Sequence, residues 1–183
     1  MDLNRYTEKA QEAIAQAQKL AGDHNHGQIE PEHMLLALLQ QSNGVVPQIV
    51  GKLGLSPQDL QGELEQQLQQ RPRVYGAAAQ VGIGPSLQNA LKRAESQAQT
   101  MHDDYVSTEH LLIGLVLAAA GQAGDLLKHH DITLNRIYEA LTSIRGTQRV
   151  TDQNPEGKYQ ALEKYGRDLT QLARQAGSSD RSR

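Results

Sequence analysis

The chain has 183 residues and a net charge of -3, and it contains no cysteine, phenylalanine or tryptophan. Without cysteine it has no disulfide, thiol nucleophile or cysteine-ligated zinc, and its acidic balance and lack of aromatic stacking surfaces argue against nucleic acid as a partner. Because no apolar run reaches the roughly 18 residues of a membrane span, and the charged start MDLNRYTEKAQE is unlike a secretory signal, we expect a cytoplasmic protein without a membrane partner.

Four helices are predicted in the first part of the chain, which is rich in the helix formers Ala, Leu, Gln and Glu. The first runs from about Thr7 to Ala21, and Thr7 is suited to cap it. The second begins at Pro31, since proline favours the first helical position. A short third helix covers about residues 46–53, and the fourth opens with Ser56 as its cap.

The same pattern occurs a second time. EPEHMLLAL at residues 30–38 nearly matches STEHLLIGL at 107–115, an offset of 77 positions. The same offset, without a gap, places apolar residues on apolar residues in the pairs Ile14/Leu91, Ile29/Val106, Leu35/Leu112, Leu38/Leu115, Leu60/Ile137 and Leu64/Leu141. The chain therefore contains a duplicated four-helix unit.

Two copies are too few for a solenoid, so we expect the two units to pack around a pseudo-two-fold axis. The prediction is an all-α domain over residues 1–145, with repeat one at about 1–71 and repeat two at about 85–145. The small, flexible residues of 72–84 form the linker between them, Pro85 starts the second unit, and Thr133 caps its last helix.

The EH pair of each copy has two interpretations. Glu32 and Glu109 lie in the first turn of a helix, where a carboxylate meets the positive end of the helix dipole, so both pairs can simply stabilise helix starts. Alternatively, these helix starts line a binding groove on the surface.

Catalytic or metal chemistry has little support in the sequence. His24 and His26 form an HxH in a loop, but a zinc site needs three or four ligands. The triplet HDD at 102–104 puts two carboxylates beside a histidine, and acid–base work would require a pocket that shifts their pKa values. No Walker GxxxxGK[ST] or GxSxG motif occurs, so we expect no enzyme activity, no metal and no cofactor in this chain.

The composition changes after Arg145. GTQRVTDQNPEG at 146–157 is polar and rich in turn formers, which is typical of a flexible linker. Residues 158–177 resume a helical pattern with one apolar stripe, which predicts an amphipathic linker helix. The end, residues 178–183, is expected to be disordered. The apolar stripe consists of Tyr159, Leu162, Tyr165, Leu169, Leu172 and Ala176.

Three segments resemble a known family. RYTEKAQEAIAQAQKLA, IEPEHMLLALL and VSTEHLLIGLV are similar to the N-terminal double Clp repeat of the Clp chaperones, which are ring-forming AAA+ unfoldases. VTDQNPEGKYQALEKYGRDLTQLARQAG at 150–177 resembles the segment that joins this domain to the first ATPase module in ClpB-type disaggregases. The resemblance implies an eight-helix Clp N domain of two pseudo-symmetric four-helix repeats, followed by a linker helix.

The resemblance also implies a function. Such a domain engages unfolded or aggregated polypeptides and delivers them to the ATPase ring. The family residues tied to substrate binding match Thr7, Asp103 and Glu109 here, and a hydrophobic groove near the second repeat would include Leu91. ATP and a hexameric ring would belong to the rest of the protein, while this part alone is expected to be monomeric.

Two other functions remain open at this stage. The chain could be a docking module for specific adaptor proteins, as Clp N domains of other types are. It could also be an independent enzyme that uses His24, His26 or the HDD triplet. Selectivity for one folded partner would favour the first alternative, and stoichiometric bound metal would favour the second.

Overall fold

A computed structural model describes residues 1–75 and 81–159, and within them the chain is almost entirely helical. A 3-10 helix, Leu3–Arg5, precedes eight α-helices: α1 Glu8–Asp23, α2 Pro31–Gln40, α3 Val45–Lys52, α4 Pro57–Gln70, α5 Pro85–Thr100, α6 Thr108–Leu117, α7 Gly121–His129 and α8 Leu134–Arg145. The predicted all-α fold of two four-helix repeats is confirmed. Of the predicted C-terminal linker helix, residues 155–159 are helical, and the remainder lies outside the described residues.

The helix starts follow the predicted capping chemistry. Thr7 Oγ1 accepts the Ala10 N–H across 3.1 Å, Ser56 Oγ accepts the Asp59 N–H across 3.2 Å, and Thr133 Oγ1 accepts the Arg136 N–H across 3.3 Å. Each bond satisfies one of the backbone donors that the first turn of a helix leaves without a partner. Pro31, Pro57 and Pro85 each stand at the first helical residue, where a missing N–H costs nothing.

The second helix of each repeat forms the centre of the molecule. Residues 31–39 of α2 and 108–115 of α6 are all buried. Both helices carry apolar residues all round, as expected of helices that are covered on every side. The EH pairs stand at the N-terminal ends of these two buried helices and are therefore interior groups.

Short parallel strands that the sequence did not predict join the two repeats. β1, Gln28–Ile29, pairs with β2, Gly82–Ile83, so that Ile29 lies opposite Ile83. An isolated parallel bridge pairs Tyr6 with Val106. Since positions 6 and 83 are equivalent at the offset of 77, and so are 29 and 106, the two pairings are one contact made twice. This reciprocity is what a pseudo-two-fold axis requires.

Residues 146–159, which we call the cover segment, differ from the sequence-based expectation. Residues 146–157 were expected to be a flexible linker outside a domain that ends at 145. Instead Val150, Glu156 and Tyr159 are buried against the second repeat. The polar composition predicts a linker, but the packing depends on a few side chains and on backbone hydrogen bonds that composition does not reveal.

In the described ranges 1–75 and 81–159, no single helix is long and apolar enough to cross a membrane. The consecutive helices α6 and α7 reach that length and composition only when taken together, and they meet at 90°.

The contact between α5 and α6 predicts a stability difference between two glycine variants. A Cβ atom at Gly114 of α6 would lie 2.3 Å from the Ala90 carbonyl oxygen and 2.9 Å from the Ala94 nitrogen of α5. We expect Gly114→Ala to lower the free energy of unfolding by about 1–3 kcal/mol, the usual cost of overpacking. Urea unfolding followed by circular dichroism measures it.

Gly62→Ala is the matched control, because Gly62 lies in α4 with nothing within 4 Å of its Cβ position. It should raise the free energy of unfolding by about 0.5–1 kcal/mol, since alanine is the better helix former. Equal stability changes in the two variants would contradict the close approach of α5 and α6.

Candidate functional site

The histidine of each EH pair closes the first turn of its central helix. His33 accepts the Glu30 backbone N–H at its Nδ1 atom, and His110 accepts the Ser107 backbone N–H in the same way, each across 2.8 Å. Each histidine stands three residues after the N-cap, where the Glu or Gln of a capping box usually reaches back. The geometry thus agrees with the first interpretation of the EH pairs, with the histidine making the capping bond.

The second ring nitrogen of each histidine distinguishes the repeats. Because Nδ1 accepts a hydrogen bond, we assign the ring proton to Nε2. His33 then donates to His26 Nδ1 across 2.7 Å, and His110 donates to Asp103 Oδ2 across 2.8 Å. Burial, together with the neighbouring His26 ring, lowers the pKa of His33 to about 3. Equivalent positions, 26 and 103, therefore hold an imidazole in repeat one and a carboxylate in repeat two.

The Asp103 carboxylate accepts three hydrogen bonds from three parts of the chain. Besides the bond from His110, its Oδ1 atom accepts from Arg145 Nη2 across 2.6 Å and from the Val150 N–H across 2.9 Å. Burial alone would raise the pKa of Asp103, but the three donors outweigh it and lower the pKa to about 2. Asp103 is therefore ionised, and it joins the start of α6, the end of α8 and the cover segment.

The glutamate of each EH pair faces an arginine from the end of the fourth helix of its repeat. Glu109 Oε1 lies 3.4 Å from Arg145 Nη1, and both side chains are almost completely buried. Glu32 pairs with Arg71, which follows the last residue of α4. The glutamates therefore tie the first turn of the second helix to the end of the fourth.

Glu156 of the cover segment brings a further carboxylate into this region. Its Oε1 atom accepts the Thr7 hydroxyl across 2.9 Å and the Thr108 N–H across 3.3 Å. Burial, and then the negative charge of Glu109, raise the pKa of Glu156 to about 7. The docked cover segment thus favours a protonated Glu156, because one guanidinium, that of Arg145, lies among three buried carboxyl groups.

The backbone of the cover segment is bonded on both sides of this site. The Val150 carbonyl accepts the Asp104 N–H across 2.8 Å, and the Gln153 carbonyl accepts the Glu8 N–H across 2.9 Å. The side chains of Val150 and Tyr159 are fully buried. The segment therefore lies directly over the loop before α6 and the start of α1.

The structure brings three of the four predicted site residues together. Thr7, Asp103 and Glu109 belong to one connected network beneath the cover segment, whereas Leu91 is part of the apolar core on α5. All four are buried, with exposed fractions of 0%, 8%, 0% and 6% in the order Thr7, Asp103, Glu109 and Leu91. We expected a groove rimmed by exposed polar side chains, and in this arrangement the rim is covered.

Sequence reasoning missed Arg145, Val150 and Glu156 as members of the site. Arg145 resembled an ordinary basic residue at a helix C-terminus, and the other two stood in the expected linker. The one usable signal was Val150, an isolated aliphatic residue in a polar stretch.

No group of three or more metal-ligating side chains in the described ranges is arranged to hold a metal ion. His24 and His26 stack with ring centroids 5.4 Å apart, and their Nδ1 atoms bond to the Leu20 carbonyl and to His33, respectively. Both bonds lie within the fold of repeat one.

Comparison with known proteins places this architecture. The family described as "Clp repeat (R) N-terminal domain" matches residues 5–130. The chain belongs to this family. "Chaperone protein ClpB 2" of Synechocystis is 44% identical over 95% of this chain and 20% of its own length, and "Chaperone protein ClpB" of Bacillus cereus is 41% identical over 98% of this chain and 21% of its own length. This Clp N-terminal domain therefore spans about a fifth of these relatives.

A solved structure agrees with the fold. The Hsp104 N-terminal domain from Candida albicans superposes with a TM-score of 0.72 at 20% identity, covering 82% of this chain and 98% of that one. The predicted Clp N-domain architecture is confirmed, and the ClpB relatives extend through the cover segment because they match nearly the whole chain.

The raised pKa of Glu156 predicts a pH dependence of the Clp N-terminal domain's stability. Glu156 has an ordinary pKa of 4.5 and a pKa of about 7 when docked, so the folded state holds a proton that the unfolded state releases between these values. The stabilisation is complete below about pH 4.5 and is lost as the pH rises to about 7, at up to about 1.4 kcal/mol per pH unit. In Glu156→Gln, a neutral side chain that keeps the accepting oxygen, this loss should be absent.

Urea unfolding of the wild type and of Glu156→Gln across this range measures the effect. Glu65→Gln, on the exposed side of α4, is the control and should follow the wild type. A constant difference between wild type and Glu156→Gln across the pH range would contradict the assignment.

Proposed function

We propose that this Clp N-terminal domain binds exposed segments of unfolded or aggregated polypeptides and delivers them to the ATPase ring of a ClpB-type disaggregase. The observation that carries the proposal is the identity of 41–44% to ClpB chaperones over almost the entire chain. ATP hydrolysis and ring assembly are assigned to the rest of such a protein.

The proposed binding region is the start of the second repeat. Thr7, Asp103 and Glu109 support this choice because they share one network, and Leu91 on neighbouring α5 is the fourth residue of the proposed region. The Asp104 N–H and one Asp103 carboxylate oxygen offer a donor and an acceptor to the same extended residue. Such bonds recognise a peptide backbone and fit a binder of many unrelated sequences.

Weak binding suits this role, since a delivered polypeptide must be released for threading. Several such domains on one ring would raise the effective concentration of the bound segment, so weak single contacts add up to useful avidity. The domain would thus hold a substrate near the ring without competing with its translocation.

A second candidate function is docking of a specific adaptor protein. One observation favours it: a solved complex of a ClpV N-domain with VipB peptide shares the fold, with a TM-score of 0.52 at 16% identity over 76% of this chain and 78% of that one. In that case one folded or peptide partner would bind tightly, and unrelated unfolded proteins would not.

Titration of the isotope-labelled chain with reduced, carboxymethylated α-lactalbumin, followed by NMR, tests the proposal. We expect fast-exchange shifts at residues 7–9, 103–109 and around Leu91. The equivalent loop of repeat one, residues 24–32, is an internal control and should shift little.

A panel of other unfolded proteins separates the two functions. Weak binding to many of them, lost when each is folded, supports substrate capture. If no unfolded protein shifts any signal, or if the shifts centre on residues 24–32, the proposal fails.

A further inference from the structure

We propose that the cover segment, residues 146–159, is a built-in competitor for the polypeptide site of the second repeat and has to leave before a substrate binds. This inference rests on the proposed function, because it concerns the regulation of the same site. It stands on the burial of Thr7, Asp103 and Glu109 beneath residues of this same chain.

The cover segment makes the contacts that an extended peptide would make. Val150 offers its N–H to Asp103 and its carbonyl to Asp104, which is the two-sided pairing of a short strand. The Gln153 carbonyl accepts from Glu8 at the N-terminus of α1. These bonds involve backbone atoms of the cover segment, so a segment of another polypeptide can replace them without matching its sequence.

Two side chains of the cover segment add specificity. Val150 is fully buried, so the site accepts one aliphatic side chain. Six residues further on, the Glu156 carboxylate reaches the Thr7 hydroxyl and the Thr108 N–H. The preferred displacing polypeptide is therefore an extended segment with an aliphatic residue followed by a hydrogen-bond acceptor, and a neutral acceptor suits the Glu109 side of the site better than a charged one.

The docking of the cover segment is balanced rather than permanent. Glu156 faces Glu109 and Asp103 with only Arg145 as a buried cation, so its carboxylate meets repulsion as well as hydrogen bonds. The segment leaves α8 at Gly146, whose φ of 57° is in the left-handed region and whose Cβ position is open. Release thus requires rotation at one unobstructed glycine and does not break the packing of α8.

Repeat one lacks a comparable competitor. The chain after α4 also passes the loop between its first two helices, where the Val74 N–H bonds to the Asn25 carbonyl across 2.7 Å. Val74, however, is 50% exposed, whereas Val150 is fully buried. The covered site belongs to the second repeat.

Two variants that move the docking equilibrium in opposite directions test the inference. Val150→Asn removes the buried side chain and should weaken docking by about tenfold or more, the equilibrium factor for losing a buried valine. Glu156→Gln removes the buried negative charge and should strengthen docking at neutral pH. Thr151→Asn is the matched control, since Thr151 is exposed beside Val150.

The measurement is the Kd of the full chain for fluorescently labelled, reduced and carboxymethylated α-lactalbumin at neutral pH. Because the apparent Kd is the intrinsic Kd divided by the open fraction, we expect Val150→Asn to bind at least about threefold more tightly than wild type and Glu156→Gln to bind more weakly. Thr151→Asn should match wild type. In NMR spectra of the wild type, saturation with the same protein should move the signals of residues 148–156 to their positions in Val150→Asn.

The outcomes separate the two proposals. If wild type and all variants bind with one Kd, the polypeptide-binding function stands and the competitor role of the cover segment is overturned. Weaker binding by Val150→Asn also overturns it, because the segment would then be part of the binding surface. If no variant binds, including the opened Val150→Asn, the proposed function itself fails, and the competitor role fails with it. Circular dichroism melting of each variant confirms that residues 1–145 stay folded.

Discussion

The buried Asp103 carboxylate is the interaction on which the second repeat depends. It accepts from His110 at the start of α6, from Arg145 at the end of α8 and from Val150 in the cover segment. A buried carboxylate is stable only when its charge is paired and its oxygens are bonded. Asp103 therefore fixes the relative positions of three distant parts of the chain, and any two of them leave it incompletely bonded.

Repeat one meets the same geometric requirement without a charge. His33 bonds to His26 where His110 bonds to Asp103, and the lowered pKa of His33 keeps its ring neutral. A neutral pair needs no guanidinium, so Arg71 is left to pair with Glu32 alone. The duplication thus kept the helix-capping histidine and changed its partner, and the added charge in repeat two is what recruits Val150 to the site.

Sequence reasoning identified the helices because apolar periodicity and capping residues such as Thr7, Ser56 and Thr133 act locally. The offset of 77 also contained the pairing of β1 with β2 and of Tyr6 with Val106, but strands of two residues have no periodicity to detect. The cover segment escaped prediction for a different reason. Its contacts are mostly backbone bonds to a loop more than 40 positions earlier, and a polar sequence shows only that the backbone is free to make them.

The burial of Thr7, Asp103 and Glu109 gives their polar chemistry a physical purpose. An exposed aspartate surrounded by water would gain little from one more backbone hydrogen bond, because that bond would replace one to solvent. Inside the network, Asp103 is already dehydrated and oriented by His110 and Arg145, so one unfilled acceptor position has a large cost. A segment that supplies an N–H at the Val150 position removes this cost, whichever chain it comes from. The same interaction that holds the cover segment in place therefore makes the opened site receptive to another extended polypeptide.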